Sequence, residues 1–225
     1  MPLSVTVDQF SDLNGDPPVR GFLHTPETRT GNAIVLAHSA GGDCQSKLLQ
    51  SISSAFAEIG FLVLRINLPF RQERPHGPPF PGGAGRDREG LRRAVAVMKE
   101  RTRGTIYLGG HSYGGRQATM AAAEEPELIA GLLLLSYPLH PPRKPTQLRT
   151  SHFPRLGTPA LFVHGSRDPF GSLDEMTAAL ELIPARHCLL PVEGTGHELL
   201  GRKTQPDFPE QVVTTFCDFM GLSQH

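Results

Sequence analysis

A serine stands between two glycines in Gly110-His111-Ser112-Tyr113-Gly114, and its flanks dictate how the chain must run through it. Ahead of it, Thr105–Gly109 is short and apolar with β-branched and aromatic residues, the make-up of a buried strand. Behind it, Gly115 leads into Arg116–Glu125, rich in helix formers and stopped by Pro126. A strand that turns at once into a helix leaves no room for side chains beside the turning residue. Gly110 and Gly114 let the two elements approach and ease the backbone at Ser112. The expected product is a sharp elbow that lifts one hydroxyl above the end of a strand.

The rest of the chain alternates in the same way. Ser4–Val7 and Val19–His24 read as an antiparallel edge. Ala33–Ala37, Phe61–Ile66, Thr105–Gly109, Gly131–Ser136, Ala160–His164 and His187–Leu190 read as parallel strands. Between them, apolar residues recur at helical spacing: Leu48, Ile52, Ala55, Phe56 and Ile59; Leu91, Ala94, Val95 and Met98 within 86–101; Met176, Ala179, Leu180 and Ile183; and Val212, Val213, Phe216, Phe219 and Met220. Right-handed crossovers then place helices on both faces of one mostly parallel sheet, an α/β fold. No repeat or linker divides the chain, so residues 1–225 read as a single domain. That length is ample for an α/β core and leaves little room for an inserted helical cap.

A serine hydroxyl is a weak nucleophile near neutral pH and needs a base, usually histidine, held by a carboxylate. On an elbow of this kind the partners follow in the order Asp or Glu, then His. The strand Pro159–His164 runs into Gly165-Ser-Arg-Asp168-Pro-Phe-Gly171, and Cys188–Val192 runs into Glu193-Gly-Thr-Gly-His197. Asp168 and His197 thus lie just past strand ends, on the same rim of the sheet as Ser112. Alone, Asp168 is an ordinary turn residue and His197 one histidine of ten. Their joint occurrence in order, behind the right strands, makes Ser112, Asp168 and His197 a candidate triad. The oxyanion of an acyl-transfer intermediate also needs donors. One is the backbone N–H of Tyr113, at a helix start where such groups are unpaired. The other is assigned to the N–H of Ala40, with Ser39 the adjacent alternative, in the loop Ser39-Ala-Gly-Gly-Asp43. Asp43 suits an N-cap for the following helix.

These residues resemble an α/β hydrolase of the dienelactone-hydrolase-related type. More narrowly, three phrases resemble a subgroup that includes a testis-expressed protein and a subunit of the NSL acetyltransferase complex. They are Gly109-Gly-His-Ser-Tyr-Gly-Gly-Arg-Gln117, Leu132-Leu-Leu-Leu-Ser-Tyr-Pro-Leu-His-Pro-Pro142 and Phe162-Val-His-Gly-Ser-Arg-Asp-Pro-Phe-Gly171. The resemblance spans about Ala33 to Leu200. Two departures matter. Dienelactone hydrolases proper carry cysteine at the elbow, so their lactone chemistry does not transfer to Ser112. The frequent His-Gly of the oxyanion loop is His38-Ser39 here, which leaves the second donor open. The resemblance implies no known substrate; the triad itself makes a serine hydrolase of small carboxylic esters the default, with thioesters and small peptides or amides next. A fold of this class also serves as a non-catalytic binding or scaffold module, and a complete triad is what separates the two.

Two proline-rich loops rise from the same rim, Asn67–Gly83 and Tyr137–Pro145. They and their neighbours nominate Ser39, Phe70, Phe80, Tyr113, Tyr137, Leu139 and Phe170 as an apolar acyl pocket. Arg71, Arg74, Arg143 and Lys144 either favour an anionic substrate or are simply solvated. With 22 basic and 22 acidic residues, no net field recruits nucleic acid. The expected partner is therefore a small acyl substrate, and oligomeric state is left open. The three cysteines, Cys44, Cys188 and Cys217, show no metal or CxxC spacing, and packing explains them. No metal or organic cofactor is implied. The N-terminal residues lack the pattern of a signal peptide and no apolar run is long enough for a membrane span, so the expected location is cytoplasmic.

Overall fold

The computed structural model describes residues 3–201 and 204–222. Eight strands form one sheet in the order β1-β2-β4-β3-β5-β6-β7-β8. They are β1 (Val5–Asp12), β2 (Val19–Pro26), β3 (Ala33–Ala37), β4 (Leu62–Asn67), β5 (Ile106–His111), β6 (Leu132–Leu135), β7 (Ala160–Gly165) and β8 (His187–Val192). β1, β2 and β4 pair antiparallel; every pair from β4 through β8 is parallel. This is the mostly parallel α/β sheet that the alternation predicts, in the arrangement that the hydrolase resemblance implies.

Among the described residues the α-helices are α1 (Lys47–Glu58), α2 (Pro69–Glu73), α3 (Ala84–Lys99), α4 (Tyr113–Glu124), α5 (Leu173–Leu180) and α6 (Phe208–Met220). All five residues of β3 and all four of β6 are buried, because helices cover both faces. Alternate residues feed opposite layers. Val35 and Leu134 pack with Leu91, Val95 and Met98 of α3 and Ala118 and Ala122 of α4. Leu36 and Leu133 pack with Ile52 and Phe56 of α1 and Val212 and Phe216 of α6. Phe216 meets Phe56 and Tyr107 edge-on at 5.4 and 5.2 Å; burying such a side chain contributes about 1.5–3 kcal/mol.

The edge strand β1 extends to Asp12, beyond the expected Val7, through Asp8, Gln9, Phe10 and Ser11. Its ladder to β2 runs from Val5 opposite Pro26 to Asp12 opposite Val19. A half-exposed edge needs no apolar alternation. Helix α2 was not expected inside the loop 67–83; Pro69 at its start, where no N–H is needed, is the local cause. Helix α1 is capped by Ser46, whose hydroxyl accepts from Leu49 N–H. Asp43, the expected cap, instead closes a turn by accepting from Gln45 N–H at 2.7 Å.

β3, β5, β7 and β8 all end on one rim. Apart from the short α2 and a 3-10 turn at Phe153–Arg155, that rim carries loops, and no helical cap stands over it among the described residues. No helix of those residues is long and apolar enough to cross a membrane.

Candidate active site

Ser112 joins β5 to α4 with φ 52° and ψ −112°, a strained conformation for a residue with a side chain. Its N–H is fixed to Leu135 O at 2.8 Å. A methyl at Gly114 would sit 2.6 Å from His38 O, and one at Gly110 would sit 2.5 Å from Ala37 O. The two glycines are therefore required by close backbone approach, as the motif implies.

Above the elbow three side chains form a hydrogen-bonded chain. Ser112 Oγ lies 2.8 Å from His197 Nε2, and His197 Nδ1 lies 2.7 Å from Asp168 Oδ2. The carboxylate accepts from Nδ1–H, which leaves Nε2 as the acceptor for the serine proton. Asp168 is fully buried by side chain, while His197 keeps a little exposure toward the cavity. The other carboxylate oxygen accepts from Phe170 N–H at 2.8 Å, and the Phe170 ring stacks on His197 at 4.2 Å. From beneath, His111 Nε2–H donates to His197 O at 2.9 Å. Burial lowers the His111 pKa, which favours this neutral donor. Thus the imidazole is held by a carboxylate, an aromatic face and its own backbone.

On the opposite side, Ser39, Ala40 and Gly42 line a cavity of about 830 Å³ whose floor holds Ser112 and His197. The loop is braced from two directions. His38 Nδ1–H donates to Ser39 O at 2.8 Å, and its Nε2 accepts from Leu68 N–H at 3.1 Å. Both nitrogens are used by the neutral ring, and burial pulls its pKa down to about 4. Arg71 supplies the second brace. It donates to Gly42 O at 2.8 Å, Ala40 O at 3.0 Å, Arg74 O at 3.1 Å and Gly77 O at 3.1 Å. The Tyr113 hydroxyl points away from the serine and donates to buried Asp87 at 2.7 Å. Burial raises the Asp87 pKa.

Of the nominated pocket residues, Ser39, Phe80, Tyr113 and Phe170 line this cavity, and Phe70, Arg71, Tyr137 and Leu139 do not. Phe70 is core, packed on His38 and Tyr113 at 5.5 and 5.7 Å. Tyr137 is buried and spends its hydroxyl on Arg149 O at 2.7 Å; Leu139 is wholly buried. Arg71 is an internal brace. Arg74 lies over the Phe80 ring, and Arg143 and Lys144 are exposed, none of them on the cavity wall. The basic residues that do line it are Arg116 and Arg149, which the loops did not suggest. Arg116 had a local signal, since it stands one helical turn past Ser112; Arg149 had none. No cluster of three or more His, Cys, Asp or Glu among the described residues is placed to hold a metal. The three cysteines are unpaired; Cys44 and Cys217 are buried and Cys188 is half-buried.

A family model described as an alpha/beta hydrolase domain matches residues 30–221. The chain belongs to the alpha/beta hydrolase family. Solved structures of similar architecture include a dienelactone hydrolase from Anabaena variabilis, with TM-score 0.75 and 20% identity over 96% of this chain and 97% of that one. Est1E from Butyrivibrio proteoclasticus has TM-score 0.71 and 16% identity over 98% of this hydrolase-family chain and 100% of its own. An alpha-beta serine hydrolase homologue from Coxiella burnetii has TM-score 0.71 and 18% identity over 92% and 96%. At such identities the likeness is one of fold.

Proposed function

We propose that the chain is a serine hydrolase that cleaves a small carboxylic ester or thioester. The observation that carries this reading is the continuous hydrogen-bonded chain from Ser112 through His197 to Asp168 on the floor of an open cavity. His197 Nε2 takes the proton as Ser112 Oγ attacks the acyl carbon, and Asp168 orients the ring and offsets its positive charge. The oxyanion lies between the N–H groups of Tyr113 and Ala40; neither donates to another backbone carbonyl among the described residues. His197 returns the proton to the leaving oxygen or sulfur, and the alcohol or thiol departs. Water then gives a proton to His197 and attacks the acyl-enzyme, releasing the acid and restoring Ser112. Membership of the hydrolase family supports this chemistry, and the three quoted phrases favour the subgroup with the testis-expressed and NSL relatives.

The test is labelling with a fluorophosphonate, located by peptide mass spectrometry. Label on Ser112 that is lost in Ser112→Ala is the expected result. A folded protein that takes no label would refute an activated serine and leave a non-catalytic binding module as the better reading.

A further inference from the structure

Two arginines share the cavity wall without a carboxylate partner among the described residues. Arg116 stands on α4 one turn beyond Ser112, and Arg149 stands on the long connection between β6 and β7. Elsewhere the half-buried arginines on α3 have carboxylates: Arg88 meets Glu124, Arg92 meets Glu89, Glu124 and Glu125, and Arg93 meets Asp12. Arg116 and Arg149 form no ion pair among the described residues. The Arg116 Nε is buried without a hydrogen-bond partner, and Arg149 has one weak bond, to Pro138 O at 3.3 Å. Arg149 also feels its neighbour. Burial, and then the positive charge of Arg116, lower the pKa of Arg149. The acidic group on the same wall, Glu198, is exposed beside His197 and pairs with neither.

Two like charges in a half-dry pocket repel, and an orphaned donor there is costly. A planar anion in the cavity relieves the repulsion, because guanidinium groups bind carboxylates with paired N–H donors. We infer that Arg116 and Arg149 form an anion subsite, and that the ester cleaved at Ser112 carries a free carboxylate within the same cavity. This rests on the reading of Ser112 as a nucleophile, and it narrows the substrate from any small ester to one with a negative charge a few bonds from the scissile carbonyl. Phe80 and Phe170, also on the wall, would contact the intervening carbons.

The experiment has two arms. In the first, Ser112→Ala protein is titrated calorimetrically with monomethyl glutarate and with dimethyl glutarate, which needs no turnover. The charged monoester should bind about 10- to 100-fold more tightly than the neutral diester, the range for charge-assisted hydrogen bonds. Arg116→Met and Arg149→Met should each erase most of that difference. In the second, wild-type kcat/KM is compared for p-nitrophenyl hemiglutarate, with charge on the acyl side, for the acetate ester of 4-hydroxybenzoate, with charge on the alcohol side, and for uncharged p-nitrophenyl acetate. A preference for one charged ester that collapses in the arginine variants shows which side the subsite holds. Equal binding of mono- and diester, or charge preference intact in both variants, overturns the subsite. Turnover of p-nitrophenyl acetate in that case leaves the hydrolase reading standing; charge-selective binding with no ester turned over leaves the subsite standing and removes the hydrolase.

Discussion

Arg71→Met isolates the brace behind the proposed oxyanion loop. The substitution keeps an unbranched chain against the Phe70 ring, over which the guanidinium carbon lies at 4.9 Å, and deletes all four donor bonds. Arg74 and Gly77 are exposed, so their carbonyls recover water. Ala40 and Gly42 are half-buried on the cavity wall, and their carbonyls are left without a donor unless the loop moves. Two charge-assisted bonds lost, with partial recovery by movement, amount to roughly 2–4 kcal/mol. For a chain of this size that lowers Tm by about 4–16 °C. Movement of the loop also carries the Ala40 N–H off its place. Loss of one oxyanion donor costs about 100- to 1,000-fold in rate, so a displaced one should cost roughly 10- to 100-fold in kcat with little change in KM. Arg71→Lys keeps the charge, reaches fewer carbonyls, and should fall between. Thermal denaturation and steady-state hydrolysis of p-nitrophenyl acetate measure both effects. Unchanged kcat and Tm in Arg71→Met would refute the bracing role; a loss confined to KM for charged esters would make Arg71 a substrate contact instead.

Tyr113→Phe removes the hydroxyl from Asp87 and leaves the backbone N–H in place. Chemical denaturation at neutral pH should show a loss of about 1.5–3 kcal/mol, reduced to about 0.5–1.5 kcal/mol in an Asp87→Asn background, where only a neutral partner remains. Because burial already raises the Asp87 pKa, and losing the tyrosine donor raises it further, the deficit should shrink as pH falls through the carboxylate's titration. The buried histidines set a second pH dependence. Burial pulls His24, His38 and His152 each down to about 4 from an ordinary 6.5. Across that window the unfolded chain binds protons that the folded chain refuses. Their contribution is therefore fully present above about pH 6.5 and is lost as pH falls toward 4. Urea midpoints measured between pH 7 and pH 5 should fall steadily; a flat profile would mean these rings accept protons without disturbance.

The elbow and its partners were legible because each is announced within a few residues. Glycines flank Ser112 where backbone must touch backbone, and Asp168 and His197 each follow an apolar run at the length their strands require. The loop side chains were not legible. Phe70, Arg71, Tyr137 and Leu139 follow strands β4 and β6 as closely as Phe170 follows β7, yet they turn inward while Phe170 faces His197. Which way a loop side chain turns is settled by what packs beside it, not by a period along the chain. Phe70 is drawn under the serine by α2, a helix of five residues that no stretch of amphipathic spacing could reveal. Arg116, although it stands one turn past Ser112, was passed over for the opposite reason. Arginine is a good helix former, so within Arg116–Glu125 it reads as propensity rather than chemistry.

The position of β8 at the end of the sheet bears on how the molecule fails. It pairs with β7 alone and none of its residues is fully buried, whereas β5, which carries the serine, lies mid-sheet and is buried throughout. Segments of this kind open locally at a free energy below that of the whole fold. His197 sits just beyond β8, so the proposed proton acceptor is tied to one of the chain's less protected strands and the proposed nucleophile to one of its best protected. A partial denaturant would then extinguish turnover while the interior amides of β3, β5 and β6 still resist exchange. In that interval the chain keeps its raised hydroxyl with nothing positioned to take the proton.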